Sequence, residues 1–99
     1  MSFKAKNGKG LVEFPNGNLY NGQWNNGKFD GYGEYTWSDG RKYKGYYHDG
    51  KMHGKGEYSW TDGRRFKGEY YMDMAQGRGL VTLGDGRIFE GEFIVLSLR

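Results

Sequence analysis

A pattern that repeats every 23 residues runs through the whole sequence and constrains the fold more than any other feature. Residues 20–42 recur at 43–65 without a gap, and parts of the same pattern begin again at residue 66 and precede it at residues 8–17. Periods of about 20 to 50 residues are typical of repeat proteins, in which each unit is a small supersecondary element stacked on the next. The sequence therefore predicts a repeat protein.

The glycines follow the same period. Of the 19 glycines, 18 occupy five columns of the repeat, and only Gly84 lies outside them. A glycine-rich chain with 35% hydrophobic residues could be disordered, but disordered chains are poor in aromatic residues and this chain has 18%. The regular placement indicates that glycine is needed for backbone geometry.

Each unit has the pattern of two short strands joined by a turn. Tyr35 and Trp37 alternate with polar residues, Asp39-Gly40 follows, and a second alternating run begins near Tyr43. Alternation with a period of two is typical of a strand with one apolar face. Asp-Gly between two such runs predicts a β-hairpin, because glycine readily adopts the positive φ that these turns require.

The aromatic positions also predict the hairpin register. Residues that face each other across a hairpin lie on the same side of the sheet, so a two-residue loop would place Trp37 and Tyr43 on opposite faces. We therefore predict a loop of three or five residues with a bulge at its glycine. The predicted pairs are Trp37 with Tyr43, Tyr35 with Gly45 and Gly33 with Tyr47.

The predicted fold is all-β, without helices. It is a single-layer, elongated and twisted antiparallel sheet of about four consecutive hairpins over residues 8–93. Residues 1–7 are predicted to be a flexible lead-in. The aliphatic residues 94–99 are interpreted as a tail that caps the sheet, extends its last strand or marks where a longer protein was cut.

The repeat resembles a known family. The residues that carry the resemblance read Tyr43-x-Gly45-x-Tyr47-x-x-Gly50-Lys51-x-x-Gly54-x-Gly56-x-Tyr58-x-x-x-Asp62-Gly63. This pattern is similar to the MORN (membrane occupation and recognition nexus) repeat, and the similarity extends over residues 8–93. The resemblance implies an extended single-layer sheet that acts as a scaffold for protein–protein interaction and, in some members, contacts phospholipid.

The aromatic face of the sheet is the first candidate binding site. No second layer is predicted to cover it, and aromatic side chains are favoured at binding sites because they bury a large area at little cost in entropy. We predict that a helix or extended segment of a partner protein binds there. The predicted groove consists of Trp24, Tyr35, Trp37, Tyr43, Tyr47, Tyr58, Trp60, Phe66 and Tyr70.

Repeated basic residues give an alternative function, which is peripheral binding to anionic phospholipid. Each basic side chain near an anionic membrane contributes about 1 kcal/mol. The predicted lipid contacts are Lys28, Lys51, Lys55, Arg41, Arg64 and Arg87.

Other functions are disfavoured by the composition. The chain has no cysteine, its serines lack a suitably placed histidine and carboxylate, and the two histidines are too few for a metal site. The net charge of +3 is too small to indicate nucleic-acid binding. We therefore expect no enzymatic activity, cofactor, metal, small-molecule substrate or nucleic-acid partner.

Two further expectations concern the location and assembly of the chain. No signal peptide or apolar span is evident, so we expect a cytoplasmic protein, which could belong to a cytoskeletal, ciliary or membrane-associated assembly. Open sheet edges invite pairing, so self-association through these edges or through residues 94–98 is a third hypothesis.

Overall fold

The structure is a computed structural model that describes residues 7–95, with side chains described to residue 92. It is one antiparallel sheet of eight strands whose spatial order is their order in the chain. The strands are β1 Gly8–Glu13, β2 Leu19–Asn25, β3 Lys28–Thr36, β4 Lys42–His48, β5 Lys51–Ser59, β6 Arg65–Tyr71, β7 Met74–Thr82 and β8 Ile88–Val95. The sheet is elongated, with extents of 41 × 24 × 18 Å. No residue of the described part lies in a helix, so this part contains no helix that could cross a membrane.

The predicted fold class is confirmed by this arrangement. The predictions for the two ends of the chain are not tested in full, because residues 1–6 and 96–99 lie outside the described residues. The predicted lead-in therefore falls almost entirely outside them. Of the predicted tail, residues 94 and 95 belong to β8.

Five-residue loops, which we call the wide loops, join the two strands of each hairpin at one end of the sheet. In the loop of residues 37–41, the Trp37 N–H donates to the Arg41 carbonyl and the Gly40 N–H donates to the Trp37 carbonyl, both at 2.9 Å. Gly40 has a φ of 98°. These features are those of a type I turn followed by a glycine bulge. The predictions of an odd-numbered loop and of a bulge at the glycine are both confirmed.

The predicted register was wrong by two residues. Tyr35 pairs with Tyr43 and Gly33 pairs with Gly45, whereas we had paired Trp37 with Tyr43, Tyr35 with Gly45 and Gly33 with Tyr47. The reason is that Trp37 closes the loop by bonding to Arg41 and is no longer available to pair with Tyr43. A shift of two residues preserves the face of every side chain, so the predicted aromatic face is unaffected.

Two-residue turns, which we call the narrow turns, connect consecutive hairpins at the other end of the sheet. At Asn26-Gly27 the φ angles are 51° and 76°, and at Asp49-Gly50 they are 53° and 85°. Positive φ at both central residues is the mark of a type I′ turn, which matches the twist of the flanking strands. Asn-Gly and Asp-Gly are the residue pairs that favour this turn type.

The third narrow turn keeps this geometry without glycine. Met72 and Asp73 have φ angles of 50° and 72°. The Asp73 N–H donates to the Met52 carbonyl at 3.0 Å, and its carboxylate accepts from the Met52 N–H at 2.9 Å. These two hydrogen bonds to Met52 stabilise the conformation of Asp73. Met72 has a partly exposed side chain, and its backbone adopts a conformation that costs most residues about 1–2 kcal/mol.

We expect Met72→Asn to stabilise the protein by about 1 kcal/mol, because asparagine tolerates the left-handed region. Chemical denaturation measures this directly. Met72→Leu is the control and should leave the free energy of unfolding unchanged, since leucine suffers the same backbone strain. Equal stabilities of the Asn and Leu variants would contradict this explanation.

One face of the sheet carries the core. The side chains buried there are Val12, Tyr20, Trp24, Tyr43, Tyr47, Met52, Tyr58, Phe66, Tyr70 and Ala75. The opposite face carries charged side chains together with the half-exposed rings of Tyr32 and Tyr46, whose centroids are 5.5 Å apart.

Candidate interaction surface

The nine residues of the predicted groove share one face, but their exposure differs. Three of them, Tyr35, Trp37 and Trp60, are only partly buried. The other six are buried in the core, and they are Trp24, Tyr43, Tyr47, Tyr58, Phe66 and Tyr70. The accessible part of the predicted groove is therefore confined to its margin near the wide loops.

Glycine pairs explain how a single-layer sheet can bury rings so completely. Tyr43 lies flat across Gly45 of its own strand and Gly56 of the next, so closely that a Cβ on Gly56 would come within 2.3 Å of the tyrosine hydroxyl oxygen. That hydroxyl donates to the Tyr46 carbonyl at 2.9 Å. Tyr20 packs in the same way over Gly22 and Gly33, and Phe66 packs over Gly68 and Gly79.

Rings on alternate strands then meet above the intervening glycines. The Tyr20 centroid is 5.5 Å from that of Tyr47, and the Tyr43 centroid is 5.1 Å from that of Tyr70, both edge to face. Edge-to-face pairs at this spacing add about 0.5–1.5 kcal/mol beyond the area they bury. The rings therefore shield one another from solvent, as a second layer of secondary structure would in a two-layer fold.

Burial changes the acidity of these phenols. It raises the pKa of Tyr20 to about 12, with a smaller contribution from the negative charge of Asp30. Burial also raises the pKa of Tyr43 and of Tyr70 far above the usual range. An unfolded tyrosine ionises near pH 10, so the unfolded chain releases these protons first as the pH rises. The stability from these groups is complete below about pH 10 and is lost above it.

We expect the free energy of unfolding to fall steeply between about pH 10 and pH 12. Urea unfolding across this range measures the slope, which reports the number of protons released on unfolding. Tyr20→Phe removes one of these protons, so its slope should be shallower, although the lost hydrogen bond to the Gln23 carbonyl lowers its stability at neutral pH by about 1 kcal/mol. Identical slopes would show that Tyr20 does not titrate as described.

A row of rings follows the wide-loop margin of the core face, and we call it the tryptophan row. Its members are Phe14, Tyr35, Trp37, Tyr58 and Trp60. Successive centroids are 6.1, 4.7, 5.2 and 4.6 Å apart. The row thus crosses from the first wide loop to the third as a continuous strip in which Tyr58 is buried and the two tryptophans are partly accessible.

In two of the wide loops, the arginine stacks on the tryptophan of the same loop. The Arg41 Cζ atom lies 5.0 Å from the Trp37 ring centroid, and the Arg64 Cζ atom lies 5.2 Å from that of Trp60. Arg41 also donates to the Asp39 carboxylate at 2.8 Å and to the Tyr58 hydroxyl at 3.0 Å. The side-chain and backbone hydrogen bonds that Arg41 donates to Asp39 hold the pKa of that carboxyl below its usual value. The accessible tryptophans are therefore presented in a fixed arrangement beside planar cations.

Comparison with known families agrees with the repeat architecture. The family model of the MORN repeat matches residues 3–19, 20–40, 43–64 and 66–86. The chain belongs to the MORN repeat family. A search of the curated proteins found no match. The MORN repeat is a non-catalytic module that mediates protein or membrane interactions, and the match supports a general interaction role for this chain.

The six predicted lipid contacts of this MORN protein do not form one patch. Arg41, Arg64 and Arg87 lie in the wide loops, whereas Lys28 and Lys51 flank the narrow turns at the other end of the strands. Strands of seven to nine residues separate the two groups by about 20–30 Å. Lys55 lies within β5 between them.

Four of these cations are paired with carboxylates. Each wide-loop arginine contacts the aspartate two residues before it, with N–O distances of 2.8, 2.8 and 2.7 Å. Lys28 contacts Asp49 at 3.1 Å. Their charge is therefore largely balanced within the molecule.

Sequence reasoning missed one column of the core. Phe29, Met52 and Ala75 each follow a narrow turn by two residues and pack against the aromatic face. They were missed because the aromatic alternation that predicted the strands begins only after them, whereas β3, β5 and β7 already begin at Lys28, Lys51 and Met74. The apolar character of this column at 23-residue spacing was the signal that could have revealed them.

The two histidines lie on neighbouring strands, His48 at the end of β4 and His53 within β5. The His48 and His53 rings are 5.7 Å apart, and His48 Nδ1 lies 3.7 Å from an Asp30 carboxylate oxygen. Within the described residues, no group of three or more potential ligands converges on one point.

Proposed function

We propose that this MORN protein is a non-catalytic scaffold that binds a partner protein along the tryptophan row. The observation that carries the proposal is the pair Trp37 and Trp60, which are partly accessible, one repeat apart and each stacked on an arginine. Tryptophan and arginine are enriched among the residues that dominate binding energy at protein interfaces. Their fixed arrangement lowers the entropy that is lost on binding.

The spacing of the row fits the predicted kinds of partner. Trp37 and Trp60 lie two strands apart, which corresponds to about 10 Å at the strand spacing of a sheet. Seven residues of an α-helix rise about 10.5 Å, and three residues of a polyproline II segment rise about 9.3 Å. Either a helix or an extended segment could therefore place successive side chains on successive tryptophans.

Two observations favour a protein partner over the phospholipid alternative. The basic residues are split between opposite ends of the strands, and four of the six are already paired with carboxylates. A planar anionic membrane would contact only one group at a time. The cellular location, in the cytoplasm or on a cytoskeletal, ciliary or membrane-associated assembly, stays a prediction.

The test is affinity capture from cell extract with three folded forms of the chain. Wild type is compared with the double variant Trp37→Ser, Trp60→Ser and with the control double variant Tyr32→Ser, Tyr46→Ser, which changes two half-exposed rings on the opposite face. We expect wild type and the control to retain the same protein and the tryptophan variant to lose at least about 30-fold in affinity, as for the loss of one strong binding residue.

Two results would overturn the proposal. One is equal retention by the tryptophan variant, shown by circular dichroism to be folded. The other is binding to anionic vesicles at physiological salt with no protein retained, which would favour the phospholipid alternative.

A further inference from the structure

The two partly accessible tryptophans of the row each keep a hydrogen-bond donor that the fold does not use. Buried Trp24 donates its indole N–H to the Gly10 carbonyl at 3.2 Å. Within residues 7–95, the indole nitrogens of Trp37 and Trp60 have no such acceptor, and neither nitrogen is closed off from solvent. A ligand that lies along the tryptophan row therefore meets two indole N–H groups that are able to donate.

The charges beside these two donors are balanced. Trp37 and Trp60 are each stacked on an arginine, and each of those arginines contacts the aspartate two residues before it at 2.8 Å. Each tryptophan thus borders an ion pair without net charge. Because electrostatic complementarity requires an excess of one sign, this surface gives a strongly acidic or strongly basic ligand no advantage. The row favours an uncharged ligand.

The possible backbones of a bound segment differ in what they offer to indole donors. Inside an α-helix each carbonyl accepts from the N–H four residues later, so its acceptors are already used. An extended β segment presents N–H groups as well as carbonyls, and an indole cannot accept a hydrogen bond from them through its nitrogen. A polyproline II segment has no internal hydrogen bonds, and proline has no N–H, so a proline-rich backbone offers acceptors alone. It is therefore the best complement to a row of donors.

The spacing of the row agrees with the same conformation. Trp37 and Trp60 are about 10 Å apart at the strand spacing of a sheet, and polyproline II rises about 9.3 Å in one turn of three residues. Prolines three residues apart would therefore meet successive tryptophans. Phe14 and Leu83 occupy the same column of the repeat, one period to either side, and both are partly buried. The column thus has room for four contacts from a segment of about ten residues.

We propose that the segment bound on the tryptophan row is an uncharged, proline-rich segment in the polyproline II conformation, with proline at every third residue. This inference rests on the proposed function, since it names the chemistry of the segment for which that function provides the site. Proline rings pack on the accessible parts of Trp37 and Trp60, and the carbonyls between them accept from the two indole N–H groups. Such a segment is extended before it binds, so little conformational entropy is lost.

An NMR titration of the ¹⁵N-labelled full chain with a blocked peptide of about twelve prolines, long enough to span the row, tests the proposal. The chain has three tryptophans and therefore three indole N–H signals. We expect the signals of Trp37 and Trp60 to shift along one saturating curve, with a Kd of about 1 mM or below. The Trp24 signal should not move, because its N–H is already bonded to Gly10.

Three variants separate the hydrogen bond from the ring contact. Trp37→Phe and Trp60→Phe each keep an aromatic ring and remove one donor, so each should weaken binding of the peptide by about three- to tenfold. Tyr46→Phe removes a hydroxyl from a half-exposed ring on the opposite face and should bind as wild type does. The wild-type titration stands without the variants if one of them does not fold.

A helical peptide separates this inference from the function on which it rests. It is built from Glu-Ala-Ala-Ala-Lys repeats and carries leucines seven residues apart, which places them about 10.5 Å apart along a helix. At the concentration that saturates the chain with polyproline, we expect this peptide to leave all three indole signals unchanged. In the capture experiment above, an excess of the polyproline peptide should release the partner from wild type.

Three results would overturn the inference while the tryptophan row remains a docking site. They are shifts of Trp37 and Trp60 with the helical peptide alone, a captured partner that depends on both tryptophans but is not released by polyproline, and loss of a donor that leaves the polyproline affinity unchanged. Equal shifts of all three indole signals would show non-specific binding and overturn it as well. If neither peptide shifts the signals at about 10 mM and no captured partner depends on the tryptophans, the inference and the proposed function both fail.

Discussion

Gly45→Ala should destabilise the protein by about 3 kcal/mol or more, as expected for an extra methyl group forced into closely packed backbone. A Cβ at this position would lie 2.5 Å from the Gly56 Cα atom and 2.6 Å from the Lys55 carbonyl oxygen. Backbone atoms of a paired strand cannot move aside without breaking the sheet. The Tyr43 hydroxyl, 2.7 Å away, would also be displaced from its position across the glycines.

Thermal and urea unfolding measure this effect. The same substitution at Gly91, which occupies the same column of the repeat, provides the control. For a chain of this size, the loss corresponds to a decrease of roughly 12 °C or more in Tm. Gly91→Ala, in dilute solution, should be neutral or slightly stabilising, because the added methyl group meets nothing and the unfolded chain loses freedom. Similar losses at the two positions would mean that glycine is needed for strand conformation and that close packing is not the cause.

Tyr43→Ala should be comparably damaging, with a loss of about 3–5 kcal/mol. The side chain is 0% exposed, and its ring contacts those of Tyr47 and Tyr70 with centroids 5.2 and 5.1 Å away. Its removal would leave a cavity on the core face and uncover Gly56. With no second layer to collapse into the space, the neighbouring rings would become accessible to water.

Tyr46→Ala is the matched control, because Tyr46 belongs to the same strand, faces the other side and is 50% exposed. It keeps the backbone carbonyl that accepts the Tyr43 hydrogen bond. We expect a loss below about 1 kcal/mol in denaturant unfolding, as at most surface positions. If the two variants lost equal stability, the aromatic face would not be the core.

The hairpins could be predicted because they depend on local chemistry. The turn at Asp39-Gly40 and the alternation of Tyr35 and Trp37 determine a loop, a bulge and a face. The register was not determined in this way, because registers that differ by two residues place the same side chains on the same face. The hydrogen bond between Trp37 and Arg41 decides between them, and nothing in the residue pattern requires it.

The sequence also did not predict which aromatic side chains of this face are buried and which are partly accessible. Tyr58 and Trp60 are neighbours in the same alternating run, yet Tyr58 is buried and Trp60 is partly accessible. The difference arises from position along the strand, since Trp60 is the first residue of a wide loop and lies at the margin of the sheet. Exposure at a margin depends on the curvature of the whole sheet and on which rings lie above it.

Acrylamide quenching of single tryptophans tests most directly the claim that one sheet face is divided into a closed core and an accessible tryptophan row. Three variants are needed, each keeping one tryptophan and carrying phenylalanine at the other two positions. Trp24, which is 4% exposed, should be protected, whereas Trp37 and Trp60 should be quenched several-fold more strongly. Equal protection of all three would contradict an accessible row, and equal quenching of all three would contradict a closed core.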